Sequence, residues 1–304
     1  MCGVFGIRSR ERDVARLAYF GMFALQHRGQ ESAGIAVSNE GRLTVVRDMG
    51  LVAQVFDEEK LQALPGEVAI GHTRYSTTGS THWANAQPLI QRGRGHTVAL
   101  GHNGNLVNAT ELREELAAEG ITLATTSDTE LIAALIANDE APLEDAVAGA
   151  MARLEGAYSV VALSNGTLIG FRDRHGFRPL CLGRGEHGEW VLASETCALD
   201  LVGAELEREL APGELVLVDE DGVRSRQAVV PAPTARSASS SSSTSRAPTR
   251  GWRASKCTER ACAWAHGSRR RHRSRPISSF PSRTRARPRR SASRARPGSR
   301  SRRA

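Results

Sequence analysis

The amino-acid composition changes abruptly near residue 236, and this change limits how much of the chain can fold. Residues 236–304 contain 21 Lys and Arg but a single acidic residue, Glu259, whereas residues 1–235 contain 20 basic and 32 acidic residues. The C-terminal stretch holds only two residues of the types Leu, Ile, Val, Met and Phe. Such a segment buries too little apolar surface to offset its conformational entropy. We therefore predict a folded domain over residues 2–235 and a disordered, low-complexity Arg/Ser-rich tail over residues 236–304.

Charge and cysteine content narrow the class of protein further. A net charge of −12 over residues 1–235 excludes a basic nucleic-acid-binding surface as the main feature of that part, whereas the tail, at +20, should bind nucleic acid only nonspecifically. The sequence shows neither an apolar run long enough to span a membrane nor the pattern of a signal peptide, so we expect a cytoplasmic protein. The cysteines are odd in number and show no zinc-like spacing, which fits a reducing compartment: Cys2, Cys181, Cys197, Cys257 and Cys262. His27, His82 and His175 form no ligand spacing either, so we expect no metal site.

Apolar periodicity within the front part predicts both helices and strands. Helical spacing occurs in residues 14–25, 109–118, 128–136 and 143–154. Short apolar or alternating runs predict strands at residues 32–37, 43–46, 68–71, 98–101, 159–163, 167–172, 190–193 and 214–218. This order of strands, helices and further strands favours an α+β fold in which helices and sheets pack in layers.

Cys2 is the first candidate catalytic residue. Removal of Met1 would leave a chain that begins with a thiol and a free α-amine on one residue. An α-amine with a pKa of about 7.7–8.0 is a usable base near neutral pH, beside a strong nucleophile. The alternative is that Cys2 is only a small residue in an N-terminal strand.

Polar clusters after two predicted strands and at the start of a helix could form a pocket for glutamine. Arg74 could hold the α-carboxylate, and Asp128 could hold the α-ammonium group. The side-chain amide of Asn103 and the backbone N–H of Gly104 could stabilise an oxyanion. Each of these residues has a structural alternative. Arg74 could form a surface ion pair, Asp128 could be a helix N-cap, and Asn103 with Gly104 could form a hairpin turn. We expect His72 and His102 to be packed and hydrogen-bonded rather than catalytic.

Several motifs together resemble a known family. Residues 1–6 (MCGVFG) are similar to the start of class II glutamine amidotransferases, which are N-terminal-nucleophile hydrolases. The segment LQHRGQESAGI at residues 25–35 resembles the amidophosphoribosyltransferase family within that class. Further segments resemble the same family at residues 75–79, 101–108, 156–159, 175–180 and 193–196. The resemblance extends over about residues 1–235.

The resemblance implies a four-layer αββα sandwich of the N-terminal-nucleophile hydrolase type. It also implies roles for individual residues. Cys2 would be the nucleophile, with its own α-amine as proton shuttle, and Asn103 and Gly104 would form the oxyanion hole. Arg74 and Asp128 would bind the glutamine backbone, and Arg28 and Gly29 would be substrate-binding residues beside the nucleophile. In the full-length family the released ammonia passes to a phosphoribosyltransferase domain. There it displaces pyrophosphate from phosphoribosyl pyrophosphate in the first committed step of purine synthesis. That domain uses magnesium, some members hold an iron–sulfur cluster, and a homo-oligomer is possible; we expect no cofactor in this chain.

The tail does not resemble the phosphoribosyltransferase domain that the family carries after residue 235. A change of reading frame is one explanation, because the tail is compatible with family-like sequence when the first two bases of each tail codon are taken as the last two bases of an original codon. Residues 238–246 are then compatible with Cys-Ile-Phe-Glu-Phe-Val-Tyr-Phe-Ala, and residues 280–288 with Ile-Pro-Val-Pro-Asp-Ser-Gly-Thr-Pro. We therefore predict that the tail is out of frame and that the chain retains glutamine hydrolysis alone. The alternative is a non-catalytic remnant with a polyanion-binding tail.

Overall fold

The computed structural model describes residues 1–75 and 83–233, and the predicted tail lies outside them. Strands form two antiparallel sheets, one of seven strands in the order β11-β9-β10-β1-β4-β2-β3 and one of six in the order β13-β12-β8-β7-β6-β5. The strands are β1 (Gly3–Arg8), β2 (Ser32–Asn39), β3 (Arg42–Met49), β4 (Val68–Arg74), β5 (Leu89–Arg92), β6 (Thr97–Leu106), β7 (Gly156–Ser164), β8 (Thr167–Arg172), β9 (Cys181–Gly185), β10 (Trp190–Ala193), β11 (Ala204–Glu209), β12 (Glu214–Asp219) and β13 (Gly222–Gln227).

Helices cover the outer faces of the two sheets. They are α1 (Val14–Ala24), α2 (Val52–Val55), α3 (Glu58–Gln62), α4 (Ala109–Ala118), α5 (Asp128–Asn138), α6 (Leu143–Arg153) and α7 (Thr196–Val202), with 3-10 turns at Gln26–Arg28 and Trp83–Asn85. No helix in the described ranges is long and apolar enough to cross a membrane.

Three apolar cores show the order of the layers. Helices α1 and α7 share one core with the seven-stranded sheet, including Ile35 and Leu199. Helices α4, α5 and α6 share a second core with the six-stranded sheet, including Ile132. A third core contains side chains from both sheets, such as Ile70 and Val161, and therefore lies between them. The predicted four-layer αββα sandwich is confirmed.

Burial explains which elements the sequence reveals. Strand β4 is buried along its whole length because β1 and β2 flank it in the seven-stranded sheet. Strands β11 and β13 are mostly exposed and charged, and they lie at sheet edges, where charged side chains prevent pairing with other chains. These edge strands lack an apolar run, and the sequence analysis did not predict them.

The two polar clusters predicted to follow strands lie within the strands themselves. His72 and Arg74 belong to β4, and Asn103 and Gly104 belong to β6. In β6, Asn103 pairs with Ser159 and Gly104 with Tyr158, both in β7, so the hairpin-turn interpretation of Asn103-Gly104 is wrong. The predicted boundary was too early because inward-facing polar side chains interrupt the apolar pattern while the backbone ladder continues.

Candidate active site

A cavity of about 310 Å³ brings four of the predicted site residues together. Cys2, Arg74, Gly104 and Asp128 all contribute to its wall. The cavity is therefore built by the chain immediately before β1, the end of β4, the end of β6 and the start of α5. Its volume lies at the lower end of the range for small-molecule sites, about 300–1,000 Å³.

Cys2 lies at this cavity with its sulfur beside the backbone of Tyr75. The Tyr75 N–H donates to Cys2 Sγ at 3.5 Å, and Sγ lies 3.7 Å from the Tyr75 carbonyl oxygen. Burial raises the pKa of the Cys2 thiol, and the Tyr75 backbone, the N-terminal amino group, Arg74 and Arg28 oppose this rise. Because the net pKa remains raised, a nearby base is needed to form the thiolate at neutral pH.

Arg28 contacts Cys2, and the neighbouring Gly29 packs against β4. Arg28 is buried, and its Nε donates to the Cys2 carbonyl oxygen at 2.9 Å. Its Nη1 forms an ion pair with Glu195. Gly29 packs against β4 so closely that a Cβ there would lie 2.5 Å from the Thr73 carbonyl oxygen. Glycine at this position therefore allows the segment that carries Arg28 to approach the strand that carries Arg74.

Arg74 lies at the end of β4 and forms an ion pair with Glu31. The side chains of Arg74 and Glu31 are only 8% and 14% exposed, so the pair is buried and is not the surface ion pair considered from the sequence. A guanidinium carries five N–H donors, and one carboxylate partner does not use them all. Arg74 can therefore bind a second carboxylate within the cavity while Glu31 holds it.

Gly104 and Asn103 differ in their access to the cavity. Gly104 contributes to the wall and has a φ of +156°, and a Cβ there would lie 2.0 Å from the Ala157 carbonyl oxygen. Only glycine fits this backbone position. Asn103 is 1% exposed, is not among the residues that line the cavity, and its Nδ2 lies 3.5 Å from Ser159 Oγ.

Asp128 is the first residue of α5, and the N-cap of that helix is Ser127. Ser127 accepts a hydrogen bond from the Thr129 N–H, so the N-cap interpretation of Asp128 is wrong. One Asp128 oxygen accepts a hydrogen bond from the Leu106 N–H at 2.9 Å. Burial raises the pKa of Asp128, and the Leu106 hydrogen bond and the charge of Arg113 oppose the rise. Asp128 thus lines the cavity with its carboxyl group fixed by the end of β6.

His72 and His102 are buried in strands β4 and β6, in an environment that does not suit a catalytic base. The His72 Nε2 lies 3.0 Å from the His102 carbonyl oxygen, as expected for a packed histidine. Burial lowers the pKa of His72 to about 3 and that of His102 to about 4. Imidazoles with these pKa values are weak bases at neutral pH. His102 lines the cavity, but its basicity does not suit the activation of Cys2.

Two acidic residues of the site were not assigned a role from the sequence. Glu31 pairs with Arg74, and Glu195 pairs with Arg28. Both lie in segments that carried the family resemblance, at residues 25–35 and 193–196, so their position in these motifs was the sequence signal that could have identified them.

In the described ranges no three His, Cys, Asp or Glu side chains are grouped so as to hold a metal ion. Cys2, Cys181 and Cys197 are free thiols.

Comparison with known proteins supports the family suggested by this site. A family model described as a glutamine amidotransferase domain matches residues 72–201. The amidophosphoribosyltransferase of Mycobacterium bovis is 49% identical over 241 residues, which cover 76% of this chain and 45% of that protein. The enzyme of the same name from Synechococcus elongatus is 52% identical over 230 residues, 74% of this chain and 47% of the relative. The chain carries an amidophosphoribosyltransferase-type glutamine amidotransferase domain.

A solved structure gives the same result for the fold. The glutamine phosphoribosylpyrophosphate amidotransferase of B. subtilis, in complex with ADP and GMP, aligns with a TM-score of 0.69 at 40% identity. The alignment covers 75% of this chain and 49% of that one. This chain therefore spans about half the length of the amidophosphoribosyltransferases that it matches.

Proposed function

We propose that this chain hydrolyses glutamine to glutamate and ammonia through a thioester on Cys2. The observation that carries the proposal is the convergence of Cys2, Arg74, Gly104 and Asp128 on one cavity. Arg74 supplies donors for an α-carboxylate, and Asp128 supplies an acceptor for an α-ammonium group. A cationic and an anionic partner at one cavity select an amino acid over an uncharged amide.

The chemistry begins with proton transfer from the Cys2 thiol to its own α-amine. This requires removal of Met1, because the nitrogen of Cys2 is otherwise held in a peptide bond. The buried histidines have pKa values of about 3 and about 4, which leaves the α-amine as the better matched base at this cavity. Arg28 holds the Cys2 carbonyl and thereby fixes the residue that carries both reacting groups.

Thiolate attack on the side-chain amide carbon of glutamine gives a tetrahedral oxyanion. The N–H of Gly104, at the cavity wall, is the proposed first donor to this oxygen. The side-chain amide of Asn103 is the proposed second donor, and it must turn from Ser159 toward the cavity when glutamine binds. The carbon–nitrogen bond then breaks, the α-ammonium returns its proton to the leaving nitrogen, and ammonia departs. Water, deprotonated by the same α-amine, attacks the thioester and releases glutamate with the free thiol.

The test compares glutamate release by the full chain with that of Cys2→Ala, after mass spectrometry has shown that Met1 is removed. Loss of activity in Cys2→Ala, with retention in Cys181→Ala and Cys197→Ala, supports the proposal. Equal loss in Cys181→Ala would refute the assignment of the nucleophile. Wild-type chain without any glutaminase activity would favour the alternative of a non-catalytic remnant.

The relatives' names point to a second half-reaction, the transfer of ammonia to phosphoribosyl pyrophosphate. We propose that a full-length protein carries out this transfer in the cytoplasm. The proposed domain boundary is residue 235, with the tail translated out of frame in place of a phosphoribosyltransferase domain. Residues 236–304 contain one acid, Glu259, whereas a pyrophosphate and magnesium site needs acidic side chains for the metal and an ordered loop of backbone N–H groups for the phosphates. We expect no pyrophosphate release from phosphoribosyl pyrophosphate by the 304-residue chain with ammonia and magnesium supplied. Measurable release would refute the out-of-frame interpretation, and resequencing the gene across codons 230–240 would test it directly.

A further inference from the structure

Glu195 lies at the centre of a charged network that reaches the proposed nucleophile. Its two carboxylate oxygens accept from different partners: Oε1 from Arg28 Nη1 and Oε2 from His27 Nε2, the latter at 2.9 Å. Arg28 in turn donates from Nε to the Cys2 carbonyl oxygen at 2.9 Å. The chain of contacts from Glu195 to Cys2 therefore passes through a single guanidinium group.

The backbone around Glu195 is tied to the strand that follows Cys2. Ser194 N–H donates to the Val4 carbonyl oxygen at 3.0 Å, and Val4 N–H donates to Ser194 Oγ at 2.9 Å. Strand β10, which ends just before Ser194, pairs with β1. Glu195 is thus held in a fixed position relative to the first residues of the chain.

The charges in this network depend on one another. The Arg28 side chain is 5% exposed, and a buried cation without a counter-charge is strongly destabilising. Burial raises the pKa of Glu195, but the interactions with Arg28 and then His27 lower it by more. The net pKa of Glu195 is therefore below its usual value, and the carboxylate is ionised at neutral pH. Glu195 is therefore the anion that keeps Arg28 in its buried position.

We propose that Glu195 is a positioning residue for the nucleophile: its carboxylate holds the Arg28 guanidinium against the Cys2 carbonyl and so fixes Cys2 at the cavity. The proposal rests on the proposed function, because it assigns Cys2 the nucleophilic role. Glu195 does not line the cavity, so it acts through Arg28 and not on the substrate. A shift of about 1 Å in a reacting group can cost about 100-fold in rate.

The network also predicts an effect on the thiol itself. The groups that lower the pKa of the Cys2 thiol are the Tyr75 backbone N–H, the N-terminal amino group, Arg74 and Arg28. Without its counter-charge, Arg28 should leave the buried position, and it should then no longer lower the pKa of the Cys2 thiol. The pH at which Cys2 becomes reactive should then rise.

The experiment uses the full chain and the variants Glu195→Ala and Glu195→Gln. Glu58→Gln is the matched control, because Glu58 also pairs with an arginine, Arg16, but at an exposed site away from the cavity. The readouts are kcat and KM for glutamine, and the pH dependence of Cys2 alkylation by iodoacetamide, followed by peptide mass spectrometry. Peptide analysis separates Cys2 from Cys197, whose sulfur lies 3.7 Å from Glu195.

Glu195→Ala should lower kcat by about 10- to 100-fold, leave KM within about twofold, and raise the pH midpoint of Cys2 alkylation. Glu195→Gln keeps an acceptor for Arg28 but removes the counter-charge, so it should restore only part of the lost kcat, and its alkylation midpoint should lie between those of the wild-type chain and Glu195→Ala. Wild-type kcat and midpoint in Glu195→Ala, or an effect on KM alone, would overturn the proposal. If the wild-type chain hydrolysed no glutamine, the alkylation midpoint would still test the positioning of Cys2 separately from the proposed function.

Discussion

Replacement of Gly104 by alanine tests the oxyanion-hole geometry and its structural cause together. The new Cβ would lie 2.0 Å from the Ala157 carbonyl oxygen and 2.7 Å from Tyr158 Cα, both backbone atoms of β7. Backbone cannot move aside as a flexible side chain would, so β6 and β7 must separate locally. The φ of +156° adds strain, because side chains rarely tolerate that conformation.

The expected cost of Gly104→Ala has two parts. Backbone strain is about 1–3 kcal/mol and overpacking about 1–3 kcal/mol, so the free energy of unfolding should fall by about 2–6 kcal/mol. Displacement of the Gly104 N–H should lower kcat for glutamine hydrolysis by about 100- to 1,000-fold, the usual effect of losing one oxyanion donor.

Gly120→Ala is the matched control. Gly120 also has a positive φ, +78°, but a Cβ there would meet no atom within 4 Å. It should lower the free energy of unfolding by only about 1 kcal/mol and leave kcat unchanged. Urea unfolding and glutamate release measure the two quantities for both variants. A folded Gly104→Ala variant with wild-type kcat would refute the oxyanion role.

Two further changes have defined outcomes. Arg74→Leu removes the proposed partner of the glutamine carboxylate, so KM for glutamine should rise at least tenfold; an unchanged KM in steady-state glutamate release would contradict that role. The pKa values of His72 and His102, about 3 and about 4, lie below the ordinary value of about 6.5, so the unfolded chain binds protons first as the pH falls. Stability should therefore be lost below pH 6.5, by about 2 kcal/mol per histidine at pH 5, and urea unfolding that showed greater stability at pH 5 than at pH 7 would contradict the burial of these imidazoles.

The sequence predicted the buried elements of the fold better than its edges. Helix α4 has the predicted limits, residues 109–118, because its apolar face and charged face follow the helical period. Strand β11 was missed because its sequence, AELERE, is typical of an exposed segment, and only its place at the sheet edge makes it a strand. Local patterns report burial, whereas edge strands are defined by a partner distant in the sequence.

The same distinction applies to the site. Cys2, Arg74, Gly104 and Asp128 could be named from the sequence because their motifs are specific, and the structure places them at one cavity. The partners Glu31 and Glu195 could not be assigned, because each pairs with an arginine 43 or 167 residues away. Pairing across such separations depends on the register of the seven-stranded sheet, which no local pattern contains.

The glutaminase site is tested most directly by covalent labelling with a glutamine analogue that carries an electrophilic chloromethyl ketone in place of the side-chain amide. Peptide mass spectrometry of the full chain would identify the labelled residue. We expect one label per chain, on Cys2, with labelling suppressed by excess glutamine and abolished in Cys2→Ala. Label on Cys181 or Cys197, or label on Cys2 that glutamine does not suppress, would contradict the assignment of this cavity as a glutaminase site.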